Sequence, residues 1–179
     1  MIVFDPDLDC DPADTAATTA VPRGDRLPSG RTLARFLVLA QAAVRLRGQV
    51  TVLLTTDTAI RRLNRQFRGK NKATDVLSFP AEPMPGLKPQ QQIAGDLAIS
   101  VPTARRQAAG QGHALPVELK VLILHGLLHL AGYDHETDAG QMARRERALR
   151  ARLRLPQGLI ERVEGPSVAQ ARHRASKKP

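Results

Sequence analysis

The stretch PVELKVLILHGLLHLAGYDH, residues 116–135, is the segment that decides the fold. Its apolar residues predict a strongly hydrophobic helix that begins near Pro116 and ends at Gly132, because proline favours the first helical turn and glycine follows helix ends. A helix that is apolar on all sides is normally buried in a protein core. The histidines at 125, 129 and 135 are therefore unexpected in this segment.

The spacing of these histidines suits a metal ion. His125 and His129 are four residues apart, so they lie on one face of the helix and can reach the same ion. Gly132 can adopt the left-handed conformation that ends a helix, which lets the chain turn back and present His135 to the same point. Three imidazoles leave the fourth position of a tetrahedral zinc open to water, as in catalytic sites. The sequence predicts one zinc ion held by His125, His129 and His135.

The same spacing occurs in a class of zinc proteases with the pattern H-E-x-x-H-x-x-G-x-x-H. The glutamate that serves these proteases as general base is replaced here by Gly126, so peptide hydrolysis by that route lacks its proton acceptor. A structural zinc is an alternative, although structural sites usually have four protein ligands. Asp134 or His113 could supply the fourth.

Local patterns elsewhere predict an α+β fold. Short apolar or β-branched runs predict strands at residues 1–4, 50–55, 75–80 and 93–100. Apolar periodicity and capping residues predict five helices. The first runs from an N-cap at Ser29 to a stop at Gly48, and the second from a cap at Asp57 to about residue 66. The other three cover residues 102–110, 116–132 and 137–154. A proline-rich loop favours a hairpin-like pairing of the last two strands. We expect a small mixed β-sheet of about four strands packed with helices, with the three-histidine site on one helix and its following turn.

Length and composition predict a single domain over residues 1–160 and a basic, disordered tail over 161–179. Residues 1–20 contain five aspartates and no base, so an acidic insert is expected near residues 5–22. The single cysteine, Cys10, excludes an intrachain disulfide and suits a reducing cytoplasm. No run approaches the roughly 18 apolar residues of a membrane span, and the N-terminus lacks the basic start of a signal peptide. A cytoplasmic protein without membrane association is expected.

The charge balance indicates a polyanionic partner. The chain has 27 basic and 17 acidic residues, a formal net charge of +10. Because only 3% of the residues are aromatic and none is tryptophan, a base-stacking platform is not expected, and RNA binding should rest on phosphates.

A dense group of bases lies in the segment RRLNRQFRGKNK, residues 61–72, which contains no acid. The candidate RNA-binding residues are Arg61, Arg62, Arg65, Lys70 and Lys72. For the three arginines taken alone, a solvated helix face is an equally good interpretation. Arg68 differs because it should lie where the helix runs into a loop. Its guanidinium could bind a phosphodiester through two hydrogen bonds and stabilise charge that develops on the phosphoryl oxygens, which makes Arg68 a candidate catalytic residue.

Three segments together resemble the YbeY family of bacterial endoribonucleases, also called ribosomal RNA maturation factors. They are LNRQFRGKNKATDVLSFP (63–80), GDLAIS (95–100) and HGLLHLAGYDH (125–135), and the likeness extends over about residues 30–154. The resemblance implies that the three histidines are zinc ligands and that Arg68 is the functionally important arginine, with Phe67 in the aromatic position before it.

The resemblance also implies a function. It implies a single-strand-specific, zinc-dependent endoribonuclease that matures the 3′ end of 16S ribosomal RNA and takes part in ribosome quality control. Implied partners are the 16S precursor, the small ribosomal subunit, the Era GTPase and a small-subunit ribosomal protein. Two alternatives stay open: a ribosome-assembly factor that binds RNA around a mainly structural zinc, and a metallohydrolase with a different substrate.

Overall fold

The computed structural model describes residues 1–10, 24–134 and 138–157. These residues form four strands, β1 (Ile2–Phe4), β2 (Gln49–Thr55), β3 (Val76–Pro80) and β4 (Ile93–Ser100). They also form five α-helices, α1 (Gly30–Val44), α2 (Asp57–Arg68), α3 (Val101–Gln111), α4 (Leu115–Leu130) and α5 (Gln141–Arg152), and a short 3-10 helix over Pro6–Cys10. Residues 11–23 of the region with the expected acidic insert, His135 and the expected basic tail lie outside the described residues.

The four strands form one mixed sheet in the order β1-β2-β4-β3. The first two neighbouring pairs are parallel, whereas β3 runs antiparallel to β4, with Val76 opposite Ile99 and Pro80 opposite Gly95. The predicted α+β fold and the predicted small mixed sheet are therefore confirmed. The predicted antiparallel pairing of the two strands that the proline-rich loop joins is also confirmed.

The two faces of the sheet are covered differently. Alternate residues of β2 and β4, such as Val52 and Ile99, face the main core, which also holds the buried sides of α1 and α4. On the other face, Ile60 of α2 covers a smaller cluster with Leu77 and Ala98. The helix α4 is buried along nearly its whole length, as its composition predicted.

In the described part of the chain, no single helix is long and apolar enough to cross a membrane. The helices α3 and α4 meet the length and composition requirement only as a pair, and that pair is bent by 111°.

Several helix ends differ from the predicted ones. Helix α1 begins after Ser29, whose side chain accepts a hydrogen bond from the Thr32 N–H as expected, but it ends at Val44 because Arg45 adopts a left-handed conformation with φ 68°. The predicted stop, Gly48, serves another purpose. A Cβ at Gly48 would lie 2.8 Å from the carbonyl oxygen of Gln92, so the glycine permits close approach of the loop that precedes β4.

Helix α2 differs at both ends. Its N-cap is Thr56, whose side chain accepts a hydrogen bond from the Ala59 N–H, whereas Asp57 is the first helical residue and faces α3 instead. The prediction that Asp57 caps this helix was wrong, because two neighbouring residues both have capping side chains. The helix continues to Arg68 and ends where Gly69 adopts a left-handed conformation with φ 69°.

Candidate metal centre and active site

Two of the three candidate histidines face each other near the end of α4. The Nε2 atoms of His125 and His129 are 3.2 Å apart, and the two rings are inclined at 75° with their centroids 4.8 Å apart. His125 is almost fully buried, and His129 is half-buried. The four-residue spacing therefore brings the two nitrogen donors together, as the sequence predicted.

The other ring nitrogen of His125 is held by a carboxylate from α5. Its Nδ1 lies 3.0 Å from Oε2 of Glu146. The second oxygen of Glu146 accepts hydrogen bonds from Arg150, at 2.9 Å from Nε and 2.5 Å from Nη2. All three side chains are largely buried. A carboxylate on Nδ1 fixes the tautomer and the orientation of the ring, so Nε2 of His125 is directed away from α5 and towards His129.

Sequence reasoning missed Glu146 and Arg150. Both lie in the segment RRERALR, residues 144–150, where a glutamate and an arginine four residues apart look like an ordinary surface ion pair of a charged helix. Nothing in the spacing connects Glu146 with His125, which is 21 residues earlier, because their contact depends on how α5 packs against α4. No local signal could have identified this pair.

The donor set fits a zinc ion. Two nitrogens bound at 2.0–2.1 Å to a tetrahedral zinc are about 3.3–3.4 Å apart, close to the 3.2 Å between the two Nε2 atoms. Within residues 1–10, 24–134 and 138–157, no three side chains of ligand type are grouped to hold a metal. His135, the third predicted ligand, lies outside these ranges, so its place in the site stays a prediction.

The helix turn before His135 has the expected geometry. Helix α4 ends at Leu130, and Gly132 follows with φ 89°, in the left-handed region. The half-buried Asp134 accepts a hydrogen bond from the Asp138 N–H through its backbone carbonyl. The helical conformation therefore ends within three residues after His129.

His113 pairs with a different group. Its Nε2 lies 2.6 Å from Oε2 of Glu118, a fully buried carboxylate in the first turn of α4. Since seven residues of helix span about 10 Å, this pair is far along α4 from His125. The suggestion that His113 supplies a fourth ligand is therefore not supported.

Gly126 occupies the position of the protease glutamate, and the packing explains why it is glycine. A Cβ at Gly126 would lie 2.7 and 3.0 Å from the two terminal carbons of Leu97 and 3.3 Å from Oγ of Ser78. Leu97 is buried and cannot move aside easily. The helix thus lies directly on the sheet beneath the histidines, and this position has no room for a carboxylate side chain.

The basic segment forms the end of α2 and the following loop. Arg61, Arg62, Arg65 and Lys72 are exposed, whereas Arg68 and Lys70 are half-buried. Asn64 holds the loop against the helix, since its side-chain nitrogen donates to the carbonyl oxygen of Lys72 at 2.7 Å. Arg68 is the last helical residue rather than a loop residue, but it is at the expected junction.

Comparison with known proteins identifies the family. Residues 31–154, more than two thirds of the chain, match the family model described as Endoribonuclease YbeY. The chain belongs to the YbeY endoribonuclease family.

Individual YbeY relatives agree with this assignment. The endoribonuclease YbeY of Koribacter versatilis is 49% identical over 146 residues, which cover 82% of this chain and 91% of the relative. That of Solibacter usitatus is 55% identical over 112 residues, covering 63% and 71% respectively. A solution structure of a Thermotoga maritima protein is 24% identical, has a TM-score of 0.50 and covers 86% of this chain and 89% of that one, which supports the fold alone.

Membership of the YbeY family confirms that the chain is an endoribonuclease, a hydrolase, and that its substrate is RNA. The matched range contains the histidine pair, Glu146, Gly126 and Arg68. The resemblance stated from three short segments is therefore confirmed over the whole central part of the chain.

Proposed function

We propose that this YbeY-family chain is a zinc-dependent endoribonuclease that cleaves single-stranded RNA, matures the 3′ end of 16S ribosomal RNA and acts in ribosome quality control. The endoribonuclease activity follows from the family. The observation that carries the metal-dependent mechanism is the pair of facing Nε2 atoms of His125 and His129, with the Glu146 carboxylate behind the first ring.

In this proposal His125, His129 and His135 hold one zinc ion. The family is one of metalloproteins, and an all-imidazole donor set in a chain with one cysteine suits zinc. When bound, zinc supplies a Lewis acid that polarises the scissile phosphodiester and activates the attacking oxygen. Glu146 keeps His125 in the orientation in which Nε2 faces the ion, and the hydrogen bonds from Arg150 hold the Glu146 carboxylate in place.

Arg68 is proposed to bind the phosphodiester. Its planar guanidinium can form two parallel hydrogen bonds with phosphate oxygens and stabilise the negative charge that develops on them during cleavage. The exposed bases Arg61, Arg62, Arg65 and Lys72, with the half-buried Lys70, would hold neighbouring phosphates of the strand.

A role as a protease is not supported. Peptide hydrolysis at such a site needs a carboxylate general base beside the first histidine, and the packing of Gly126 against Leu97 leaves no room for one.

The proposed partners are the 16S precursor, the small ribosomal subunit, the Era GTPase and a small-subunit ribosomal protein, and the proposed location is the cytoplasm. The basic balance of the chain, +10, is suited to association with ribosomal RNA.

A complementation experiment tests the proposal. Cells depleted of their own YbeY should accumulate 16S precursors with unprocessed 3′ ends, and this chain should restore processing. His129→Ala and Arg68→Ala should fail, while Arg35→Ala, a change at an exposed arginine of α1 outside the proposed RNA-binding set, should restore it. Full processing by a folded His129→Ala protein would overturn the enzymatic proposal and favour an assembly factor with a structural zinc.

A further inference from the structure

One aromatic ring lies exposed within the basic segment. Phe67 is in the last turn of α2, directly before Arg68, and is 44% exposed. The chain has only four phenylalanines, one tyrosine and no tryptophan, and Phe36 is buried in the main core. Phe4 is similarly exposed, so it is the position of Phe67 among the arginines and lysines of the basic segment that distinguishes its ring.

The position of this ring is fixed by a second ring. Phe79 of β3 packs edge-on against Phe67, with centroids 5.0 Å apart and planes inclined at 71°. Phe67 follows Ile60 and Leu63 on the helix face that covers the small cluster on the sheet, but its ring extends beyond that cluster. An aromatic surface that is already ordered loses little conformational entropy when a ligand packs on it.

The segment that carries the ring is basic and favours a polyanion, and the acidic residue Asp96 on β4 lies opposite Phe79. No acidic residue occurs from residue 58 to residue 74, and this range contains all six arginines and lysines of the basic segment. An RNA strand whose phosphates are bound along these side chains would place its unpaired nucleobases within reach of the ring. Bases of a duplex are already stacked on one another, whereas those of a single strand are free to stack on a protein ring.

We propose that the Phe67 ring, supported by Phe79, is a nucleobase-stacking contact for single-stranded RNA. The proposal rests on the function proposed above and deepens it, because stacking favours unpaired over paired RNA at the same surface. It differs from the expectation from composition that RNA binding rests on phosphates, because the fold brings two of the few aromatic rings together beside the basic side chains.

Binding of short single-stranded oligoribonucleotides to the full chain tests this, with fluorescence anisotropy measured in chelator so that the RNA stays intact. Phe67→Leu keeps an apolar side chain but loses the ring, and its affinity should fall about 5- to 20-fold. Phe67→Tyr keeps the ring and should bind within about twofold of the parent chain. The fall of RNA affinity with salt should be the same for the parent chain, Phe67→Leu and Phe67→Tyr, because stacking releases no counterions.

Phe4→Leu is the matched control. Phe4 is similarly exposed, at 40%, but lies on β1, at the opposite edge of the sheet from β3. Its replacement should leave RNA affinity unchanged. Thermal unfolding of each variant checks that folding is preserved.

Oligonucleotides with one abasic site, moved along the strand, give a second test. At one position the missing base should weaken binding to the parent chain by about the same 5- to 20-fold, and Phe67→Leu should be insensitive to that site. A Phe67→Leu protein that binds like the parent, or that keeps the full abasic penalty, would overturn the stacking contact alone. A parent chain that binds no single-stranded RNA would overturn the proposed function as well.

Discussion

At the scale of single residues, two histidine–carboxylate pairs, each with one member on α4, show that the ring nitrogen on which the carboxylate lies determines whether the histidine can share a metal. In the pair of His113 and Glu118, the carboxylate lies on Nε2. In the pair of His125 and Glu146, the carboxylate lies on Nδ1, so Nε2 faces a second histidine instead. Only the second arrangement presents two imidazole nitrogens to one point, as metal binding requires.

Glu146 should therefore tune the affinity for the metal. Replacement by alanine should weaken metal binding about 10- to 100-fold, because the ring of His125 loses the group that orients it. Glu146→Gln should have a smaller effect, since its amide oxygen can still accept from Nδ1. Competition with a chromophoric chelator measures the affinity, and Glu82→Gln, an exposed glutamate after β3, is the control. Unchanged affinity in Glu146→Ala would remove the proposed positioning role.

Gly126 should not tolerate a side chain. Gly126→Ala should lower the free energy of unfolding by about 1–3 kcal/mol, because its Cβ would overlap the buried Leu97. Gly110→Ala is a matched control within α3, where a Cβ meets nothing within 4 Å, and it should be neutral or stabilise the protein by up to about 1 kcal/mol. Urea denaturation compares the two; equal stability would contradict the close packing of α4 on the sheet.

At the scale of elements, the start of α2 is tied to α3 through one carboxylate. Asp57 accepts hydrogen bonds from Ser100, from Thr103 at 2.7 Å and from Arg106 at 2.8 Å. Burial raises the pKa of Asp57, but these hydrogen bonds and the charge of Arg106 outweigh it, so the pKa lies below the ordinary value. The basic helix α2 is thereby fixed to the rest of the fold at its N-terminal end.

This contact predicts a pH dependence of stability. A lowered folded-state pKa stabilises the protein above the unfolded-state pKa, about 3.9, and the contribution is lost as pH falls through the folded-state pKa. Asp57→Asn should therefore reduce the free energy of unfolding by about 1–2 kcal/mol at pH 7. The difference from the parent should shrink below about pH 4.

Urea denaturation at neutral and acidic pH measures this effect. Asp96→Asn, a change at an exposed position of β4, should alter stability little at either pH. A difference for Asp57→Asn that stayed constant with pH would mean that the ionised carboxylate is not the stabilising group.

Elements differed in how well the sequence predicted them. The antiparallel pairing of β3 with β4 was predictable because the two strands are joined by one loop. The insertion of β4 between β2 and β3 was not, because strand order depends on long-range packing. The stop of α1 was also misplaced, since Arg45, a residue without special left-handed preference, ends the helix before Gly48.

At the scale of the whole molecule, charge should govern the general affinity for RNA. The 19 residues after Ile160 contain five arginines and lysines and two glutamates. A chain truncated after residue 160 should show a shallower fall of RNA affinity with salt, by about 0.7 in the log–log slope for each phosphate that the tail neutralises in the full chain. An identical slope for the full and truncated chains would exclude the tail from phosphate binding.

For the candidate metal site, as for the strands and helices, the sequence predicted the contacts within one element but not those between elements. The four-residue spacing of His125 and His129 predicted their facing nitrogens, because both residues lie on one helix. Glu146 and the ring pair of Phe67 with Phe79 could not be predicted, since each joins two elements whose packing no local pattern encodes.

In the proposed mechanism, a metal held by the α4 histidines is required for RNA cleavage. The most direct measurement compares the parent chain with His129→Ala, with bound zinc and cleavage of a single-stranded 16S 3′-end fragment determined on the same folded samples. His173→Ala, a histidine of the basic tail, is the control. Zinc and cleavage are expected in the parent and the control, and both should be lost in His129→Ala. A folded His129→Ala protein that cleaves the fragment at the parental rate would contradict the requirement for the metal.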